Sequence, residues 1–305
     1  MTAVLELMAL GRDYGKRTAV RSLDLTIEKG EIFGLLGPNG AGKTTSISMA
    51  CGVVAPSRGS VRVAGHDLAT DGKAARRAIG LVPQELAIYE DLTPRQNLAY
   101  FGELYGARDT ALAAAVDVAL GIAELRDRAD DLVKNLSGGM KRRLNLAAGL
   151  VHKPALLVCD EPTVGVDPQS RRHIFDSIKK LRDGGTTIVY TTHYMEEVEA
   201  LCDRIAIMDG GEVIACGTLA ELQAKHATTG VELELAGDDA ALDAAARAAG
   251  VTRTGNVLAL ESRPEWSALI TAIEATGARI TQMRSRNANL ETVFLALTGR
   301  SLRDA

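Results

Sequence analysis

Long apolar runs are missing from this chain of 305 residues. None extends much past about ten residues, half of the ~20 that a membrane-spanning helix needs. The start, Met1 to Glu6, has neither the basic segment nor the apolar core of a secretory signal. The expected address is therefore the cytoplasm, with any membrane role supplied by a partner. Cysteine is scarce as well: Cys51, Cys159, Cys202 and Cys216 lie far apart, show no C-x-x-C spacing, and read as small buried hydrophobes of a reducing compartment. Nor is one sign of charge in excess. Lys and Arg number 35 against 39 Asp and Glu, a formal −4, which removes the broad basic surface of a nucleic-acid binder. Aromatics make up only 4%, and lysine stops altogether after Lys225. What remains is an ordinary globular composition, long enough for one large domain and one small one.

Against this background one stretch stands out, Gly37-Pro38-Asn39-Gly40-Ala41-Gly42-Lys43-Thr44-Thr45. The apolar run Ile32 to Leu36 precedes it and Ser46 to Ala50 comes after, so it is a strand-to-helix turn. Glycines there let consecutive N–H groups face an oxyanion, and the next helix points its positive end at the same place. In such a phosphate cradle Lys43 reaches the β- and γ-phosphates and the Thr44 hydroxyl binds Mg²⁺.

A second constellation closes Ala155-Leu156-Leu157-Val158-Cys159, an apolar run suited to a buried parallel strand, with Asp160 and Glu161. Carboxylates at the carboxyl end of such a strand lie where α/β sheets bind ligands. Asp160 is the candidate for holding Mg²⁺, directly or through water, and Glu161 for taking a proton from an attacking water. His193 ends another buried run, Thr186 to Thr192, on the same side; a lone histidine there is either structural or functional.

The remaining pattern is coarser. Val4 to Leu10 and Ser22 to Ile27 read as strands, and Tyr14, placed in a loop between them, is either an adenine-stacking ring or a strand-end packing residue. Gly59 to Gly65 and the segment ending at Leu81-Val82-Pro83-Gln84 also read as strands. From Glu85 to Leu150 the pattern turns helical, with Leu112, Val116 and Leu120 on one face. Tyr89, Tyr100, Phe101 and Tyr105 crowd into that region, as core or as a partner groove. Ser137 is a natural N-cap for a helix opened by Leu136-Ser137-Gly138-Gly139. Lys141, Arg142 and Arg143 in its first turn oppose the helix dipole, which leaves two readings: a nearby anion, or a solvated basic stripe. A helix from Gln169 to Arg182 and a hairpin from Arg204 to Ala215 complete this part.

These motifs, in this order, resemble the ATP-binding subunit of an ABC transporter over about residues 1–227. The resemblance implies a P-loop NTPase fold of the ABC ATPase type: a RecA-like core, an antiparallel β subdomain and a helical subdomain at about 85–150. It matches Tyr14 to the adenine-stacking aromatic, Gly37 to Thr45 to the Walker A loop, and Gln84 to the Q-loop glutamine that senses Mg²⁺ and contacts the transmembrane partner. Ser137, Gly138 and Gly139 match the signature motif, Asp160 the Walker B carboxylate, Glu161 the general base, Asp167 the D-loop aspartate and His193 the γ-phosphate switch. Met140 in place of the commoner Gln, and Val164-Gly165-Val166-Asp167 in place of a small-residue D-loop, are departures that resemble the drug and antibiotic exporter branch, whose permease is a separate chain.

That likeness further implies ATP and Mg²⁺ as cofactors and a head-to-tail homodimer that sandwiches ATP. It implies docking of an integral membrane permease near Gln84 to Tyr105, a peripheral location on the cytoplasmic face, and no nucleic-acid partner. The alternative, a soluble ABC ATPase acting on ribosomes or DNA, usually carries two cassettes or a coiled-coil insertion, and neither is present. Residues 228–305 read as β-α-β-β-α-β, with the second helix from Pro264 to Thr276, a small ferredoxin-like α+β unit, succeeded by an amphipathic helix from Asn289 to Leu297. The polar linker 226–230 marks the expected boundary, and a regulatory or dimer-supporting role is expected beyond it.

Overall fold

The computed structural model describes residues 2–226, 230–260, 265–286 and 289–299, which fall into two compact units dividing at Leu219/Ala220. In the first unit, β1 (Ala3–Tyr14) and β2 (Arg17–Glu28) form a long hairpin. Tyr14 is the last residue of β1 rather than part of a loop; the turn is only Gly15-Lys16. Then come β3 (Ile32–Leu36), α1 (Lys43–Ala50), β4 (Arg58–Val63), β5 (His66–Asp67), α2 (Gly72–Arg77) and β6 (Ile79–Val82). The helical region holds α3 (Pro94–Leu104), α4 (Asp109–Ala123) and α5 (Gly138–Leu150). Beyond it lie β7 (Leu156–Asp160), α6 (Pro168–Asp183), β8 (Thr187–Thr192), α7 (Met195–Leu201), β9 (Arg204–Asp209) and β10 (Glu212–Gly217).

A sheet of order β5-β4-β1-β2-β10-β9-β3-β8-β7-β6 carries all of these strands. From β9 to β6 the neighbours are parallel, and β3, β7 and β8 are buried along their whole length. Their unbroken apolar runs reflect coverage on both faces, whereas β2 alternates because one face is wet. One apolar core includes Leu10, Ile27, Phe33 and Met49, and a second includes Ile32, Leu157, Ile178 and Tyr190. Each such side chain contributes about 1.5–3 kcal/mol on burial.

The helical region departs from a continuous helical reading. Residues 85–93 are not helical, and α3 starts only where Thr93 and Gln96 make a reciprocal capping box ahead of Pro94. Val116 and Leu120 of α4 are buried and Leu112 packs at the edge of their cluster. Tyr89, Tyr100 and Phe101 form an edge-to-face and stacked group, with Tyr89 and Tyr100 exposed, while Tyr105 stands apart, stacked on His152 at 3.6 Å.

The second unit begins with α8 (Leu219–His226), whose first residue lies on the dividing point. It contains β11 (Gly230–Ala236), α9 (Asp239–Ala249), β12 (Arg253–Thr254), β13 (Val257–Leu260), α10 (Trp266–Glu274), β14 (Arg279–Arg286) and α11 (Leu290–Thr298). The sheet is antiparallel with order β12-β13-β11-β14, a split β-α-β arrangement around Leu233, Leu258 and Ile273. Most of the expected linker, 227–229, and Pro264, the expected start of α10, lie outside the described residues.

Candidate active site

Three adjacent parallel strands, β3, β8 and β7, deliver the chemistry at one edge. The loops that leave them emerge at the carboxyl end, where α/β sheets bind ligands. β3 runs into the Gly37–Gly42 loop that opens α1. Gly42 holds φ 101°, and a Cβ there would lie 2.7 Å from the Ala19 carbonyl; a Cβ on Gly37 would strike the Met208 carbonyl. Only glycine fits either place, so the cradle's composition has a steric cause inside the chain.

Lys43, the first residue of α1, is 5% exposed. Its Nζ donates to the carbonyls of Gly37 (2.7 Å) and Pro38 (3.1 Å) and lies 3.6 Å from Glu161 Oε1. Burial pulls the lysine pKa down, and the Glu161 and Asp160 carboxylates push it back up.

Glu161 comes directly after β7 with φ 44°, a left-handed conformation that costs a non-glycine residue about 1–3 kcal/mol. Both of its backbone polar groups are clamped. The N–H donates to Thr191 Oγ1 (2.9 Å) and the Thr191 carbonyl (3.2 Å), and the Thr191 hydroxyl donates to buried Asp160 (2.6 Å). The Glu161 carbonyl accepts from Arg142 Nη2 at 2.7 Å. A hydrogen bond from a charged donor contributes about 1.5–3 kcal/mol, enough to offset the strain. His193, just past β8, brings Nδ1 to 3.3 Å from Glu161 Oε1, without hydrogen-bond geometry, and its ring tilts against Tyr194. One carboxylate oxygen thus sits between an ammonium and an imidazole.

A cleft of about 330 Å³ opens over these groups, lined by Tyr14, Asn39, Gly40, Gly42, Lys43, Thr44, Thr45, Gln84 and Glu161. Arg17 and Ala19 line it too, and nothing in the sequence pattern had marked them. Arg12 stacks on the Tyr14 ring at 4.6 Å. Gly37, Pro38, Ala41 and Asp160 are buried beneath the cleft rather than on its wall. The other candidates are elsewhere. Ser137 caps α5 by accepting from Met140 N–H at 3.3 Å, and it and Gly138 are exposed. Gly139 is buried because a Cβ would collide with the Ser170 side chain, so its lack of a side chain is explained within the chain. Asp167 caps α6, accepting from the N–H groups of Gln169 and Ser170, which hold its pKa below the usual carboxylate value.

The basic residues that open α5 do not form a solvated stripe. Lys141 pairs with Glu90 (2.6 Å), Arg143 with Glu124 (2.8 Å), and Arg142 turns inward to backbone carbonyls. The helix-dipole conflict is met inside the chain. Sequence reasoning also missed Glu197, whose buried carboxylate accepts from the hydroxyls of Thr163 (2.7 Å), Tyr190 (3.0 Å) and Thr192 (2.8 Å). It joins the segment after Glu161 to the one before His193. Its spacing from buried Val198 and Leu201 on α7 was the available signal.

Chemically, the cleft presents a buried ammonium, a glycine cradle and a carboxylate, the parts that hold a polyphosphate and take a proton from water; the His193 imidazole stands beside that carboxylate but off the cleft wall. The Thr44 hydroxyl, the Gln84 amide and the Asp160 carboxylate are hard oxygen donors, the kind Mg²⁺ takes alongside substrate phosphates.

A model of the ABC transporter family matches residues 20–164. The linearmycin resistance ATP-binding protein LnrL of Bacillus subtilis (strain 168) is 43% identical over 311 residues, covering 99% of this chain and 100% of the relative. This chain belongs to the ABC transporter family. It is an ATP-binding subunit with the ABC ATPase fold, and its activity is ATP hydrolysis. A Nod factor export ATP-binding protein of Cupriavidus pinatubonensis (strain JMP 134 / LMG 1197) is 39% identical over 317 residues, covering 100% of this chain and 93% of the relative. The solved structure of CbiO1 from Clostridium perfringens, part of an ABC transporter complex, superposes with TM-score 0.68 at 27% identity, over 74% of this subunit and 92% of that chain. In this ABC subunit β1, β2, β4 and β5 form the antiparallel part, β3 and β6 to β9 the RecA-like core, and α3 to α5 the helical region. Among its described residues no helix is long and apolar enough to cross a membrane.

Proposed function

We propose that this subunit powers export of a hydrophobic drug- or antibiotic-like compound through a separate membrane permease, docked peripherally on the cytoplasmic face. The observation that carries the catalytic half is the placement of Glu161 Oε1 between Lys43 and His193. Lys43 binds the β- and γ-phosphates, exchanging its loop carbonyls for phosphate oxygens. Glu161 orients the attacking water and takes its proton, and His193 senses the γ-phosphate from the other side. Tyr14, already stacked by Arg12, receives the adenine ring. Thr44, Gln84 and Asp160 would hold Mg²⁺, which supplies charge neutralisation on the phosphates when bound.

Ser137, Gly138 and Asp167 lie outside the cleft that holds Lys43, which supports a second copy as the source of the other half of each site. The helix tip of one subunit then faces the cradle of its twin. The cargo class rests on the relatives, one named for linearmycin resistance and one for Nod factor export. Residues 1–227 serve as the ATP-binding domain and 228–305 as a regulatory or dimer-supporting domain.

Crosslinking tests the dimer. In a Cys216→Ser, Glu161→Gln background with Mg-ATP and permease, Asn39→Cys in one subunit should join Gly138→Cys in its partner through a short bis-maleimide. No ATP-dependent product would sink the head-to-tail reading. Loss of resistance or secretion on deletion, restored by this chain only together with its permease, tests the export role; restoration without a permease would remove it.

A further inference from the structure

Arg142 opens the second turn of α5, one turn past the exposed Ser137-Gly138 tip, and is 4% exposed. Its neighbours Lys141 and Arg143 reach carboxylates, whereas its own hydrogen bonds run to backbone carbonyls. Nε donates to Pro162 (2.5 Å), Nη2 to Glu161 (2.7 Å), and Nη1 to Gln84 (2.6 Å) and Pro83 (3.3 Å). Burying a guanidinium without a carboxylate partner is a poor way to gain stability, since an apolar side chain of similar volume usually serves the fold as well. The arrangement makes sense by what it holds. Glu161 and Pro162 come after β7, Pro83 and Gln84 after β6, and the guanidinium spans both segments. Its planar fork offers five donors in fixed directions, which a lysine ammonium cannot reproduce.

We infer that Arg142 is a positioning residue for hydrolysis: it fixes the left-handed backbone of Glu161, and so the aim of its carboxylate, and ties that setting to the peptide of Gln84. The inference rests on the reading of Glu161 as the base. With φ at 44°, Glu161 depends on the short charged bond from Arg142 (2.7 Å) more than on the longer one from the Val164 N–H (3.3 Å); without the former its backbone relaxes toward ordinary conformations and the carboxylate swings away from Lys43 and His193. Lys43 keeps its own contacts to Gly37 and Pro38, so nucleotide binding does not depend on Arg142.

The test uses the purified full-length chain with Arg142→Lys, Arg142→Gln, Glu161→Gln and the Arg142→Lys/Glu161→Gln double variant. Arg142→Lys should lower kcat about 10- to 100-fold, the cost of a misplaced reacting group, while KM for ATP stays within roughly threefold. Arg142→Gln, which leaves carbonyls bare, should unfold at lower temperature as well, so the lysine variant carries the comparison. In the double variant, Arg142→Lys should add no more than about a twofold loss to Glu161→Gln, because it acts through the same carboxylate. A parental kcat in Arg142→Lys overturns the inference, as does a multiplicative double variant, or a KM that rises as far as kcat falls. Parental hydrolysis by Glu161→Gln alone instead removes the base assignment and, with it, the ground for reading Arg142 as its positioner.

Discussion

The cleft over the Gly37–Lys43 cradle and the helix tips at Ser137 and Asp167 are built in opposite ways. In the cleft the charged groups are buried and over-determined: Lys43 has two carbonyls and a carboxylate, Asp160 a hydroxyl, and Glu161 clamps on both its N–H and its C=O. At the helix tips Ser137, Gly138 and Asp167 are exposed, and the side chains of Ser137 and Asp167 accept from N–H groups of their own first turns. The difference teaches where each half gets its precision. Buried groups must be fixed by partners in the same chain, because an unmet charge there is costly. Exposed helix ends keep backbone N–H groups available, which suits a surface completed by an anion on a second molecule.

The sharpest way to break this comparison is at Glu161. Glu161→Gln should lower phosphate release by about 10²-fold or more while ATP still binds; unchanged turnover would mean the cleft does not house the base. Lys43→Ala should come next, weakening Mg-ATP binding at least about tenfold in equilibrium titration. Retained affinity would move the phosphate site away from the cradle.

The two signature glycines sharpen the contrast within the second half. Gly139→Ala pushes a methyl into Ser170, so thermal or urea unfolding should show a loss of about 1–3 kcal/mol. Gly138→Ala meets nothing within 4 Å and should leave stability within about 0.5 kcal/mol. Its effect belongs to hydrolysis by the dimer, and equal destabilisation by both changes would deny that the tip is a free surface. The smallest effect is at Asp167, whose folded pKa is depressed first by the Ser170 N–H and then by the Ser170 hydroxyl. A depressed carboxylate adds stability above its ordinary value near 3.8 and loses that contribution as pH falls through the lower folded value. Asp167→Asn should flatten that acid limb of the melting-temperature profile; an unaltered profile would show the cap contributes nothing.

Much of the cleft was legible because its signals are local. The cradle is one contiguous stretch, and Asp160, Glu161 and His193 each end an apolar run whose burial can be counted from the residues. The hairpin position of Tyr14 was misplaced because strand β1 continues through polar residues that alternation does not flag. The helical region was overextended at 85–93, where Asn97 holds the non-helical segment through Tyr89 and Thr93, a contact no periodicity announces.

By itself the sequence determined the phosphate loop, the run of buried strands and the order of motifs, since each depends on residues a few positions apart. Tertiary structure alone decided that Arg142 faces inward to carbonyls 19 to 59 positions away, that Glu197 joins two loops, and that Gly139 makes room for Ser170. A charge beside two other charges reads as a solvated stripe until the chain folds. Whether it meets water or a carbonyl depends on which distant segment packs over it, and that is a property of the assembled sheet and helices.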